Sequence, residues 1–454
     1  MDVSTSLPRM SGALPVLGHA VQLMRDPAAF LCAASGHGPV VEVLLGPQRT
    51  ALVCDPELTR QVLVHDKVFD KGGGLYDRVR EVTGNGLLSC PFGDHRRQRR
   101  LLQPAFHKST IPLLVDVVAE HVRDVVESWR DGQSIDVPAQ MRTISARAIV
   151  ATMFDGALPG RLTELALADM TTITAGIYRQ TLMPRALRGL PLFGNHRYAQ
   201  ARQRLRWTLG EVIARRRVAG DGEVSLLSLL LAQDAANGGG PAGEQSLSDS
   251  EVSDQVLTFF IAGMETTGNL LVWAMHLLAR HQDVQRRLWQ EVNEVTGGGP
   301  TAFEHLVSLE FTRAVMRETL RLYPPAWLFT RTATTDVRLG EHDVLAGTTV
   351  AFSQYLVQRL DAVHPRPDQF DPDRWADDRA PQVPLGGFIP FGLGARKCIG
   401  ESLAMAEATL ALAAVVARWH VEPETDRPVR FAKDIVIRPH EMRLRVTRRS
   451  PTGP

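Results

Sequence analysis

Two periodicities divide this chain. Val40-Val41-Glu42-Val43-Leu44-Leu45 and Thr50-Ala51-Leu52-Val53-Cys54 flank Gly46-Pro47-Gln48-Arg49, and short apolar runs on either side of turn residues predict a β-hairpin. From Leu113 to Val218 apolar residues return every three or four positions, with breaks at Pro184 and at Gly189-Leu190-Pro191, so the stretch predicts a series of helices. The glycine-rich run Ala235-Ala236-Asn237-Gly238-Gly239-Gly240-Pro241-Ala242-Gly243 reads as a surface loop rather than an interdomain linker, because it is short and the helical pattern resumes directly after it. Ser248 and Glu251 have the S-x-x-E spacing of a capping box and open a proline-free run to about His281. A helix of about 32 residues there would span roughly 48 Å.

Beyond Thr332 short strands are predicted at Val337 to Leu339 and Thr348 to Phe352. A proline-rich stretch from His364 to Pro390 then has little periodicity, and long irregular segments in compact proteins usually serve function. Leu403 to Ala417 returns to a helical pattern. The fold class is therefore mainly α with a small β-rich region. The 454 residues are read as one domain, 1–454, with flexible ends at 1–10 and 448–454.

Composition removes several function classes. Lys and Arg number 51 against 50 Asp and Glu, and a net charge of +1 does not suit a chain that coats nucleic acid or anionic lipid. Four cysteines, Cys32, Cys54, Cys90 and Cys398, are too few and too scattered for a disulfide framework or a zinc site, which fits a reducing cytoplasm. Met1 to Phe30 is interrupted by Pro8, Arg9, Pro15, Arg25, Asp26 and Pro27, so neither a signal core nor a membrane span is expected there.

The most specific signal is Phe391-Gly392-Leu393-Gly394-Ala395-Arg396-Lys397-Cys398-Ile399-Gly400. With each fixed position of F-x-x-G-x-R-x-C-x-G filled by chance about one time in twenty, all six coincide roughly once in 10^7 to 10^8 windows. Glycines allow tight turns and close backbone approach, and a helix start beside Arg and Lys favours a thiolate. Here the sequence resembles the cytochrome P450 family, and the resemblance runs from Pro15-Val16-Leu17-Gly18-His19 to the C-terminal strands. It implies the cytochrome P450 fold, with haem b between the long helix and the cysteine loop and with Cys398 as axial iron ligand. A thiolate there favours O–O cleavage. Cys32, Cys54 and Cys90 read instead as small buried hydrophobes.

Other motifs take their meaning from that resemblance. Glu318-Thr319-Leu320-Arg321 is an E-x-x-R, by itself an ordinary solvated helix pair. Phe370-Asp371-Pro372-Asp373-Arg374-Trp375 is similar to the family's Pro-Glu-Arg-Phe element, with Asp373 and Trp375 as departures, and the likeness places Arg374 with Glu318 and Arg321 in a buried charge network. Ala262-Gly263-Met264-Glu265-Thr266-Thr267 resembles the oxygen-binding motif A-G-x-[DE]-T, in which the acid and the alcohol relay protons and the small residues leave room for dioxygen. The alternative for Thr266 is a local bond to the carbonyl four residues back. His95 and Arg99, on one helical face, together with Arg331, Arg396 and Phe391 match the family's haem-holding positions; an arginine fork suits a propionate. The run His95-Arg96-Arg97-Gln98-Arg99-Arg100 lacks the interleaved aromatics of a nucleic-acid site, and its remaining arginines suit either an acidic electron carrier or plain solvation.

The same likeness places Thr258, Ile261, Ala262, Ala326, Trp327 and Ile435 around the substrate, and none of them is charged, so a hydrocarbon ligand is expected. The stretch from Glu318 to Trp327 is similar to bacterial members that oxidise terpenes in secondary metabolism; fatty acids, polyketides and xenobiotics are the other substrates weighed. The implied reaction is insertion of one oxygen atom of O2 into a C–H or C=C bond, the other atom leaving as water. With no nucleotide or iron–sulfur motif, the electrons are expected from a ferredoxin and its NAD(P)H-dependent reductase. A peroxide-driven relative and a non-catalytic haem-thiolate sensor are the competing readings.

Overall fold

The computed structural model describes residues 7–449 except 47, 155–159, 184, 189, 191–193, 220–224, 237–245, 377–382 and 433. The expected breaks at Pro184, Gly189 and Pro191 and the glycine-rich part of the 235–243 loop lie outside the described residues. The predicted hairpin is present: β1 (Val40–Leu45) pairs antiparallel with β2 (Gln48–Val53) from Val40↔Val53 to Leu45↔Gln48. Three further strands complete this sheet, β3 (Phe69–Asp70), β5 (Leu328–Ala333) and β8 (Thr349–Ser353), in the order β1-β2-β8-β5-β3. β4 (Ser134–Asp136), β9 (Trp419–Pro423) and β10 (Arg443–Arg448) form a second sheet, and β6 (Val337–Leu339) pairs with β7 (His342–Val344).

The described residues nearest the chain ends pair with strands. Pro8 O accepts from Glu42 N at 2.8 Å, Met10 N donates to Glu42 O at 3.1 Å, and Arg448 closes the β10 ladder opposite Trp419. Backbone pairing to a buried strand supplies the order that composition does not reveal. At Gly18 the left-handed turn (φ 56°) brings the chain so close to β1 that a Cβ would lie 2.4 Å from Leu44 O.

Helices make up the body: α1 (Pro27–Ser35), α2 (Pro56–Val64), α3 (Gly74–Thr83), α4 (Phe92–Leu102), α5 (Ile111–Glu127), α6 (Val137–Phe154), α7 (Gly160–Leu182) and α8 (Asn195–Ala219) precede the centre of the molecule. There α9 (Asp249–Arg280) runs for 32 residues, followed by α10 (Gln282–Thr296), α11 (Glu310–Leu322) and α12 (Glu401–Arg418). The capping box that opens α9 is formed: Glu251 N donates to Ser248 Oγ at 3.3 Å and Ser248 N to Glu251 Oε2 at 2.9 Å. Glu251 also pairs with Arg97, which ties the start of α9 to α4.

Among the described residues α9 is the one helix long and apolar enough to cross a bilayer, and 78% of that stretch is buried inside the protein. Its hydropathy is therefore that of a core helix apolar on nearly every side. Gly263 and Gly268 let α6 approach: a Cβ at Gly263 would meet Ile149 Cδ1 at 2.6 Å, and Ser145 Oγ donates to Met264 O at 2.7 Å. Gly263 thus serves helix packing as well as the cavity that it lines. Cys54 and Cys90 are buried as expected, but Cys32 is exposed, because α1 turns Phe30, Leu31 and Ala34 inward instead.

Candidate active site

The loop before α12 places Cys398 on the wall of a large cavity. Gly392 and Gly394 adopt left-handed conformations (φ 72° and 68°), and a Cβ on Gly394 would lie 2.8 Å from Leu63 O at the end of α2. The turn closes through Cys398 N, which donates to Phe391 O at 2.8 Å, and Arg99 Nη1 donates to Lys397 O at 2.5 Å. Enclosure raises the pKa of the Cys398 thiol, and Glu401 adds to this, while the Gly400 N–H, Arg99 and Lys397 oppose it. The helix start and nearby cations therefore do not by themselves favour the thiolate here. A bound metal cation would supply the missing counter-charge, which fits an iron-ligating sulfur.

Behind the loop lies a buried brace. Arg321 and Glu318 are both fully buried, with Nε–Oε2 at 2.9 Å and Nη2–Oε1 at 2.8 Å. Arg321 also donates to the carbonyls of Gln358, Pro367 and Gln369. Gln358 in turn accepts at 3.0 Å from Ile389 N, two residues before Phe391, so the charge pair reaches the cysteine loop through one amide side chain. Arg374 pairs with Glu318 as well, Nε to Oε1 at 3.5 Å, and donates to Pro365 O at 3.0 Å. Its neighbour Trp375, a departure from the family pattern, donates Nε1 to Glu318 Oε2 at 2.9 Å, while Asp373 pairs with Arg287 on α10 at 2.7 Å.

The expected cofactor-holding residues come together. His95, Arg99, Arg331, Phe391 and Arg396 all line the Cys398 cavity. Among the described residues His95 Nδ1 and Arg396 Nε are buried without a hydrogen-bond partner, although Arg396 Nε lies 3.7 Å from Asp66 Oδ2. Burial first, then Arg396, Arg99, Lys71 and Arg331, holds the imidazole down to about 3. Arg396 is partly engaged already, with Asp70 at 2.7 Å and Cys90 O at 2.8 Å.

Sequence reasoning missed Lys71 and Tyr76. Lys71 lines the cavity and donates to Tyr76 Oη at 2.7 Å; burial and then Arg331 push its pKa down to about 8. Burial acts to raise the Tyr76 pKa, but Lys71 and Arg331 outweigh it and bring it down to about 8. Among the described residues neither Lys71 nor Arg331 forms a salt bridge, and buried cations without anions are costly. A dianionic propionate edge answers that deficit, so these residues fit haem. No spacing rule links Lys71, at the end of β3, to Arg331 on β5; the antiparallel pairing Asp70↔Thr332 does.

Along α9, Thr258, Ala262 and Thr266 line the cavity at four-residue steps. Thr266 Oγ1 donates to Ala262 O at 2.6 Å, so the local alternative and the cavity position both hold. Its single proton is engaged, and its lone pairs remain free to accept. Glu265 lies on another face, with Asn269 Nδ2 at 3.5 Å from Oε2. Burial, then Asp434, pushes its carboxyl up to about 7 against Arg438 and Arg142. Glu407 on α12 was also missed: it lines the cavity, its Oε1 has no hydrogen-bond partner among the described residues, and burial raises it to about 8.

Of the expected substrate walls, Thr258, Ala262 and Ala326 line the cavity. Ile261, Trp327 and Ile435 do not. Ile261 is a quarter-turn away on α9 and packs into the core, and Trp327 alternates to the opposite side of its extended segment from Ala326. Ile435 packs against the core beside Asp434. Leu87, Leu88, Phe106, Ile149, Leu226 and Phe329 provide walls that no local pattern announced.

The cavity offers about 280 Å³ to the centre of a water molecule. The family model described as Cytochrome P450 matches residues 8–446. The chain is 41% identical over 443 residues to "Pentalenene oxygenase" of Streptomyces avermitilis, covering 97% of each. It is 40% identical over 413 residues to "Cyclooctat-9-en-7-ol 5-monooxygenase" of Streptomyces melanosporofaciens, covering 91% of this chain and 89% of that one. The crystal structure of the cytochrome P450DA heme domain shares the fold, with a TM-score of 0.87 at 24% identity over 99% of both chains. The buried cysteine cavity, its unpaired cations and these likenesses agree: the chain belongs to the cytochrome P450 family, haem-binding monooxygenases that use dioxygen, a redox partner and a hydrophobic substrate.

Proposed function

We propose that this monooxygenase oxidises a C–H or C=C bond of a cyclic terpene in secondary metabolism. It carries haem b and, in the cytoplasm, takes electrons from a ferredoxin served by an NAD(P)H-dependent reductase. The observation that carries the substrate class is the sorting of charge in the cavity. Lys71, Arg99, Arg331 and Arg396 gather around His95, where the propionates are expected, and leave Leu87, Phe106, Ile149, Leu226 and Ala326 for the substrate. A charged substrate would lose its water without gaining a partner there. The relatives named for pentalenene and cyclooctat-9-en-7-ol agree with this class.

Bound through Cys398, haem supplies the redox centre at which dioxygen is bound and cleaved. The protein's own part is position and protons. His95, Arg99, Arg331 and Arg396, with Lys71 and Tyr76, would hold the propionates, and Phe391 would line the cofactor's side of the cavity. Glu265, raised to about 7, is poised to give up a proton near neutrality, and Thr266 accepts hydrogen bonds at the cavity wall.

Binding spectra across a panel of cyclic terpenes, fatty acids and polyketides, followed by turnover with ferredoxin, reductase, NADPH and O2, test this reading. Terpenes are expected to shift the Soret band of the haem-loaded protein and yield one oxygenated product per NADPH at best. Turnover with peroxide alone, or binding confined to fatty acids, would overturn it. Cys398→Ser is expected to lose the red-shifted Soret band of the reduced carbon-monoxide complex, and an unchanged band would remove Cys398 as ligand.

A further inference from the structure

The loop that joins α3 to α4 supplies two apolar walls of the cavity, Leu87 and Leu88, and contains neither helix nor strand. The backbone of such a loop usually meets water. Here buried side chains hold it instead. Leu87 N donates to Gln255 Oε1 of α9 at 2.9 Å, Gln255 Nε2 donates to Gln98 Oε1 of α4 at 3.0 Å, and Gln98 Nε2 donates to Asn85 O at 2.9 Å. The three bonds run from the loop to α9, across to α4 and back to the loop. Each fixes the next. The Leu87 N–H turns the Gln255 oxygen towards the loop, which leaves the Gln255 nitrogen facing Gln98, and the Asn85 carbonyl then takes the Gln98 nitrogen. One orientation of the two amides satisfies all three bonds.

Both glutamines are fully buried. Two apolar side chains of the same shape would fill this space at little cost, so what the amides add is a fixed backbone position. The position is set against the two helices that matter most to the cavity. α4 carries His95 and Arg99, and α9 carries Thr258, Ala262 and Thr266, all of them cavity residues. Gly86 lies so close to α9 that a Cβ there would stand 2.7 Å from Asp254 O, so the loop cannot slide along the helix freely. The start of the loop has a separate anchor: Asn85 N donates to Asp254 Oδ2 at 2.8 Å, and Asn85 Nδ2 to Asp94 Oδ2 at 2.7 Å. Loss of the amide pair therefore frees Leu87 without detaching Asn85.

We infer that Gln98 and Gln255 are positioning residues for substrate selection. By fixing the backbone at Asn85 and Leu87 they set how far the Leu87 and Leu88 wall stands from the α9 row, and hence the width of the ring system that the cavity admits. The inference rests on the proposed division of the cavity, in which Leu87 faces the substrate.

The test uses the haem-loaded protein and probes that do not depend on the terpene reading: imidazole, 4-phenylimidazole and the wider 4-(1-naphthyl)imidazole, with affinities read from the Soret shift. The variant is Gln98→Leu/Gln255→Leu, which leaves no buried amide unpaired and should keep a thermal midpoint near that of wild type. Hydrogen exchange of the peptide spanning residues 85–90 is expected to quicken about ten-fold, since the Leu87 N–H loses its acceptor. In wild type a fixed wall makes affinity fall at the width that meets Leu87, and in the double variant that fall should shrink about ten-fold while imidazole binds as before. Gln255→Leu alone should act in the same direction, and if it fails to fold the double variant still decides the question. Wild-type exchange in the double variant would overturn the clamp. Faster exchange with an unchanged dependence on ligand width, or an equal loss of affinity for all three ligands, would overturn its part in selection. Failure of wild type to bind any terpene would sink the proposed substrate class and leave these measurements intact.

Discussion

Glu318 and Glu407 are both buried glutamates on helices that support the cysteine loop, yet their surroundings are opposite. Glu318 receives two bonds from Arg321, one from Trp375 Nε1 and one from Asp371 N. Among the described residues Glu407 has no hydrogen-bond partner for Oε1, and its carboxyl is held up at about 8. A carboxylate with its lone pairs satisfied acts as a fixed strut, whereas one left short of donors keeps a proton at neutral pH. Glu265, raised to about 7 with one long bond to Asn269, belongs with Glu407. Donor count, more than depth of burial, separates the structural acids from the proton-carrying ones.

The largest expected effect breaks the strut. Glu318→Ala strands the Arg321 guanidinium and should cost about 3–5 kcal/mol, read as a lower thermal midpoint and loss of bound haem. Wild-type stability would place Glu318 among the idle acids.

Glu407→Gln tests the other side through pH. The folded chain holds a proton that the unfolded chain releases above its ordinary value of 4.5, so this contribution is intact below that value and is lost as pH rises through about 8. Relative to wild type, Glu407→Gln should therefore gain on the order of 2–4 kcal/mol between pH 5 and pH 9, measured by thermal unfolding at both. An identical gap at the two pH values would show that the carboxyl is not held neutral.

Trp375→Phe is the smallest change and restores the family's own residue. It removes one donor to a buried charge and should cost about 1.5–3 kcal/mol by the same thermal measurement. No loss would mean that Arg374 suffices as the third partner.

Features carried by contiguous residues are legible in the amino-acid order. The capping box at Ser248 and Glu251, the β1–β2 hairpin and the cysteine loop each depend on bonds between near neighbours in the chain. The helix period also places Thr258, Ala262 and Thr266 on one cavity-facing row. Legibility ends where a small rotation or a distant strand decides. Ile261 and Ala262 are adjacent in sequence but face different surroundings, as do Ala326 and Trp327. Lys71 meets Arg331 only because β3 pairs with β5.

The sequence alone settled most of the elements, the cysteine loop and the class of chemistry, because local bonds and a contiguous loop encode them within a few residues. Which carboxyls are left short of donors, which cations lack an anion and which apolar side chains line the cavity were decided only by tertiary packing. Those properties depend on the groups that distant segments bring, or fail to bring, within hydrogen-bond reach in a space closed to water.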